Sequence, residues 1–206
     1  MIDPEQPLPP QQPWNFGHDV ARWIPTSDAA KYGIELLGAP LEAKVAAHTL
    51  RTALIPNPGE IAFIIISLAE SGYNDLHSAV TEIASLQLGV KVCFSIDYHL
   101  LPLLNSKLTA FEEVIFMLDI TDEGMPLSAL TNQAIVALRV GPDLARRLGF
   151  DSRGALLLEM LRNLAKEIGL ASFGPWLQQG FGVPIKFDYV PEEAVNEVLA
   201  KHRLQP

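Results

Sequence analysis

Three dense apolar runs, Ile61 to Leu68, Val90 to Ile96 and Val114 to Ile120, form the stretch around which the rest of the chain is organised. Each run is rich in Ile, Val and Phe and is stopped by turn or capping residues, which predicts buried strands. Between the first two, Asn74 to Leu88 carries Leu76, Val80 and Ile83 at helical spacing, with Asn74 or Asp75 as cap. A strand, helix, strand crossover of this length joins parallel strands right-handedly, and near-continuous hydrophobicity marks strands buried on both faces. The middle run alternates Val90, Val92, Phe94 and Ile96 with Lys91, Cys93 and Ser95, so one of its faces is expected to be less buried. Two runs also admit a helix: Asn57, Pro58 and Gly59 can open one that Gly72 closes, and Thr109 with Glu112 has capping-box spacing. The pattern predicts an α/β fold, a mostly parallel sheet of about four to five strands flanked by helices, with a mostly α-helical chain as the alternative.

The flanking segments add helices and punctuation. Ser27 or Asp28 can cap a helix to Leu37 that Gly38 stops, and Pro40 suits the first turn of a second helix through Leu54, giving an N-terminal helical hairpin. Ala43, Ala46, Ala47 and Leu50 form a small-residue stripe on that second helix. Ser128 to Leu138 reads as helix, while Ile135 to Val140 fits a strand equally well, and a short helix spans Leu144 to Leu148. Asp151 or Ser152 caps the clearest helix, which runs to Ile168 with Leu157, Met160, Leu161, Leu164 and Ile168 on its apolar face. Ser172 to Phe181 reads as an irregular connection. Val183, Ile185, Phe187 and Tyr189 then alternate as an edge strand, and a last helix opens at Pro191.

Composition narrows the class. The 206 residues are 49% hydrophobic and 19% charged, which suits one folded domain and excludes global disorder. Residues 1–25 are expected to be a Pro-rich tail, holding Pro4, Pro7, Pro9, Pro10 and Pro13, and residues 26–206 a single α/β domain. Trp14, Phe16 and Trp23 are too apolar to leave in water and are expected to pin the tail onto the domain or a partner. The start of the chain lacks the basic and apolar regions of a signal peptide, and no apolar run approaches a membrane span, so a cytoplasmic protein without membrane attachment is expected. The net charge is −9, with 6 basic against 16 acidic residues in 1–138 and 9 against 8 in the remainder, which disfavours nucleic acid as a partner. The lone Cys93, inside a predicted strand, reads as a buried and inert thiol.

Chemistry has one natural place. In a parallel sheet, ligand-binding groups gather beyond the carboxyl ends of the strands. There the sequence puts Glu70, Asp97, His99, Asp119, Asp122 and Asp188. Asp97, Asp119, Asp122 and Glu70 are candidate ligands for a hard divalent ion such as magnesium, and Asp97, His99 and Asp119 are candidate catalytic groups for phosphoester hydrolysis. No phosphate-binding loop, dinucleotide fingerprint, HExxH, GxSxG or CxxC motif is present. A second feature is basic: Arg146, Arg147 and Arg153, with Arg139 and Arg162 nearby, form a candidate surface for an acidic partner.

The order of FSIDYHLL, EEVIFMLDI and the helix LLEMLRNLAKEIGL, within residues 60–170, resembles that of EAL-type cyclic-dinucleotide phosphodiesterase domains. The resemblance implies metal held by strand-end aspartates. Here the family's paired aspartates are reduced to Asp97 followed by Tyr98, its strand lysine would be Met117, and its glutamate-alanine-leucine signature is not found. With no catalytic motif, the leading expectation is a non-enzymatic, regulatory protein-interaction domain, without cofactor, that binds another protein or itself. The alternative is a magnesium-dependent phosphoester hydrolase or a degenerate cyclic-dinucleotide phosphodiesterase-like domain using the strand-end carboxylates.

Overall fold

The structure, a computed structural model, describes residues 20–27, 31–38, 41–52, 58–68, 75–104, 111–121, 124–149, 152–175 and 187–193. Eight strands close into a barrel in sequence order: β1 (Val20–Pro25), β2 (Tyr32–Leu36), β3 (Ile61–Ser67), β4 (Lys91–Asp97), β5 (Val114–Ile120), β6 (Ile135–Val140), β7 (Ala171–Phe173) and β8 (Tyr189–Pro191). Strands β2 to β8 run parallel, and β1 is antiparallel to both β2 and β8. The crossovers carry α1 (Ala43–Thr52), α2 (Leu76–Ser85), α3 (Pro142–Leu148) and α4 (Ser152–Glu167), with 3-10 turns at Tyr98–Leu103 and Leu127–Thr131. The α/β class holds; a sheet of four to five strands and the mostly α-helical alternative do not, because short strands at both ends of the chain complete a closed ring.

The three apolar runs became β3, β4 and β5, and closure explains their burial. One side of each strand faces the helices: Ile64, Ile66, Val92, Phe94, Ile96, Phe116 and Leu118 join a core with Ala43, Ala46, Ala47, Leu50, Val80 and Ile83 of α1 and α2. Burying a side chain such as Phe94 contributes about 1.5–3 kcal/mol. The other side faces the barrel interior, where Trp23, Phe63, Ile65, Cys93, Met117, Ala137 and Phe173 form a second cluster. The less buried face expected for β4 is therefore absent. Cys93 and Ser95, only 1% and 2% exposed, point into the barrel rather than into water.

Other expectations change at the ends. The first half of the helical hairpin is β2, whose Gly33 leaves room for Phe63: a Cβ there would lie 1.9 Å from the Phe63 ring. The tail expected for 1–25 gives way at Val20 to β1, which pairs with both β2 and β8. Ile135 to Val140 resolves as strand, and the expected helix from Ser128 shrinks to the 3-10 turn Leu127–Thr131. The connection expected from Ser172 begins as β7, while the stretch 183–186 lies outside the described residues.

The clearest helix turns a different face inward. Gly154, Ala155, Leu158 and Ala165 are buried on α4, whereas Leu157, Met160, Leu164 and Ile168 are 55%, 58%, 37% and 45% exposed. Its small residues permit close approach to α3, and this contact decides the inward face over the larger apolar stripe. No helix among the described residues is long and apolar enough to cross a membrane.

Candidate functional site at the barrel mouth

Because β2 to β6 are parallel, their carboxyl ends open on one mouth. Glu35, Asp119 and Arg139 are each the penultimate residue of their strand, while Ser67 and Asp97 end theirs. Strand alternation turns these residues, like Cys93 and Met117 below them, toward the barrel axis. The sequence had directed attention to carboxylates following the strands. The barrel gathers its charge around Arg139, which draws in Asp119 from those candidates and adds Glu35.

Arg139 holds two carboxylates at once. Its Nε and Nη2 donate to Asp119 Oδ1 and Oδ2, both at 2.6 Å, in the bidentate geometry that suits a guanidinium. Its Nη1 donates to Glu35 Oε1 in a second ion pair, and Nη2 lies 3.4 Å from Ser67 Oγ. Trp23 Nε1 donates to the other Glu35 oxygen at 2.8 Å. Side-chain exposures are 13% for Arg139, 13% for Glu35 and 17% for Asp119. Burial opposes the guanidinium charge, but the hydrogen bond and field of Asp119, joined by Glu35, outweigh it and raise its pKa further.

Aromatic side chains line the interior beside this cluster. Trp23 meets Phe173 edge-on at 5.5 Å between ring centroids, Phe63 meets Tyr189 at 5.1 Å, and Phe173 stacks on Tyr189 at 4.7 Å. Low-dielectric walls strengthen every charge interaction at the mouth. The same burial pushes the Cys93 thiol pKa strongly up; Arg139 opposes the shift, and Asp119 and Glu35 add to it.

The candidates chosen from sequence divide into groups. Asp97 and Asp119 are register partners on β4 and β5, so about 4.8 Å separates their strands. Asp119 is committed to Arg139, whereas Asp97 stands at the rim, 32% exposed, and accepts from the His99 backbone N–H at 2.9 Å. The His99 ring is 63% exposed and lies 4.0 Å from Asp97. Asp188 is engaged elsewhere, accepting from the Ser172 N–H and hydroxyl. Glu70, Asp122, Trp14 and Phe16 lie outside the described residues. Trp23 is 6% exposed inside the barrel, which removes it from any partner surface. Arg146, Arg147 and Arg153 sit exposed on α3 and α4, Arg146 beside Asp143 at 3.2 Å.

Glu35 and Arg139 were missed as a pair. Glu35 fell inside an expected helix, and Arg139 was assigned to a surface patch. The local signal is unspecific: Glu35-Leu36-Leu37 resembles the glutamate-alanine-leucine signature at two of three positions, as do Glu42-Ala43-Lys44 and Glu193-Ala194-Val195.

The sequence matches no family model and no curated protein. The fold does have solved counterparts. The EAL domain of Mycobacterium smegmatis DcpA superposes with a TM-score of 0.59 at 17% identity, over 90% of this chain and 97% of that one. The FimX EAL domain from Pseudomonas aeruginosa, bound to c-di-GMP, gives 0.61 at 13% identity, over 85% and 87%. Klebsiella pneumoniae BlrP1, in a complex with manganese and cyclic di-GMP, gives 0.59 at 12% identity, over 88% and 55%. At these identities the likeness is one of fold.

Two expectations are corrected by these likenesses. A non-enzymatic, regulatory protein-interaction domain no longer leads, because the shared architecture is that of EAL domains, which in two of these structures holds a cyclic dinucleotide. Absence of a cofactor no longer stands as the default either, since BlrP1 carries manganese. The described residues of the mouth nevertheless do not fit a divalent ion as they are arranged. Among the described residues no group of three or more His, Cys, Asp and Glu side chains converges as a metal shell, and Arg139 stands between the two most buried carboxylates of the mouth.

Proposed function

We propose that this chain is a cyclic-dinucleotide phosphodiesterase-like domain whose ligand enters at the C-terminal mouth of the barrel. The observation that carries the reading is the charged cluster that points to the barrel axis at that mouth. Arg139 joins Glu35 and Asp119 by ion pairs, and Asp97 is the register partner of Asp119, beside an interior of Trp23, Phe63, Ile65, Met117 and Phe173. Barrels of this kind place their chemistry there because strand ends and loops converge on that face. The ligand class is supported by FimX and BlrP1, whose structures hold c-di-GMP. Fold supplies the class, and the residues must supply the chemistry.

In the reaction of this class, a water oxygen bonds to phosphorus while one phosphorus to ribose-oxygen bond breaks. The departing oxygen takes a proton and the ring opens to a linear dinucleotide. Asp97 is the carboxylate best placed to accept the proton from water, because it stands at the rim and is not paired with Arg139. Glu35 and Asp119 position Arg139, which supplies a fixed positive charge at the floor of the mouth. Among the described residues, three carboxylates stand against one guanidinium at the mouth, so an anionic phosphodiester binds more tightly when further positive charge accompanies it. As part of the same proposal, the domain acts in the cytoplasm.

Calorimetric titration with c-di-GMP, with and without Mn2+, tests the reading, with conversion followed by anion-exchange chromatography. Saturable binding that GMP does not reproduce is expected. A complete lack of binding heat in both conditions sinks it.

A further inference from the structure

We infer that Arg139 occupies the place of a cation between Glu35 and Asp119 and competes with divalent ions for the same carboxylate oxygens. All four of those oxygens already accept an N–H: both oxygens of Asp119 and one of Glu35 from Arg139, and the second of Glu35 from Trp23. A hard divalent ion needs such oxygens directly, at about 2.0–2.6 Å. It gains them only by displacing the guanidinium, whose departure leaves two largely buried carboxylates in want of positive charge. One step below Asp97 and Asp119, Ser95 is 2% exposed and paired in register with Ser67 and Met117, and its hydroxyl has no hydrogen-bond partner among the described residues. Access of a divalent ion is thus set from within the chain, by a side chain on β6.

The probe is Mn2+ alone, titrated calorimetrically into the full chain, so the result does not depend on whether a cyclic dinucleotide is the ligand. Arg139→Gln is expected to bind Mn2+ at least about tenfold more tightly than the wild type, because the internal competitor is gone. Arg139→Lys, whose compact ammonium lacks the bidentate fork, should fall between the two. Adding Asp119→Asn to Arg139→Gln should abolish the gain. Should Arg139→Gln fail to fold alone, the inference requires saturating Mn2+ to restore its native circular dichroism by replacing the missing charge. Equal Mn2+ affinity in the wild type and the folded variants overturns the inference, as does a gain that survives Asp119→Asn, or an unfolded Arg139→Gln that Mn2+ does not rescue.

Discussion

At the scale of single residues, the mouth is a problem in polar satisfaction. Glu35 is stable inside an aromatic interior because each of its oxygens receives a donor, one from Arg139 and one from Trp23. Trp23 thus acts both as packing against Phe173 and as a hydrogen-bond donor. Trp23→Phe keeps an aromatic ring but leaves one oxygen of a largely buried carboxylate without its protein donor, a loss of about 1–3 kcal/mol. Urea denaturation is the measurement, and an unchanged midpoint would show that water replaces the indole at no cost. That Glu35 stands in a strand was not legible locally. The segment from Ser27 to Leu37 carries good capping residues for a helix, and its strand identity comes from partners on both sides, β1 and β3.

At the scale of elements, α4 shows how periodicity finds a helix but not its inward face. The larger residues suggested one stripe, and the small ones were buried. Leu158→Ala should therefore cost about 2–5 kcal/mol, whereas Met160→Gln should stay within about 0.5 kcal/mol, measured from urea midpoints. The opposite ranking would restore the face expected from sequence. Gly154 explains the choice: a Cβ there would lie 1.9 Å from the Leu148 carbonyl oxygen, a backbone atom of α3. In an exposed helix, Gly→Ala stabilises by about 1 kcal/mol. Here Gly154→Ala forces α3 and α4 apart, and a net loss of about 1–3 kcal/mol is expected by the same denaturation assay.

At the scale of the whole molecule, closure of the barrel buries groups that would titrate freely in an open sheet. Inside the barrel the Cys93 thiol is pushed up mainly by burial, as is Tyr189, and on the outer face burial raises Tyr32. These groups hold their protons more tightly folded than unfolded. Their contribution to stability is complete below about pH 8, where an unfolded thiol begins to ionise, and falls as pH rises further. The thiol alone should lower stability by up to about 1.4 kcal/mol per pH unit above that point. Urea midpoints measured from pH 7 upward should show the fall, and Cys93→Ala should remove its earliest part. A Cys93→Ala profile that overlays the wild type would show that the thiol titrates alike in both states.

What the sequence determined by itself was local. Runs of Ile, Val and Phe specify β3, β4 and β5, helical spacing specifies α1, α2 and α4, and alternation with turn residues separates them. The positions of Asp97 and Asp119 at the ends of their strands were legible for the same reason, since Asp97 follows its apolar run directly and Asp119 is the penultimate residue of its own. The number of strands was not legible. β1, β2, β7 and β8 are short and mix Trp, Gly, Glu, Ser and Pro with their apolar residues, because their partners and the barrel interior, rather than their own propensity, hold them in place. Nor could the sequence say that Arg139 belongs with Glu35, 104 positions away. Such a pair exists only once eight strands close and one register turns both side chains toward the axis. Tertiary structure alone decided that, because a charge is tolerated inside a barrel only where its counter-charge arrives with the fold.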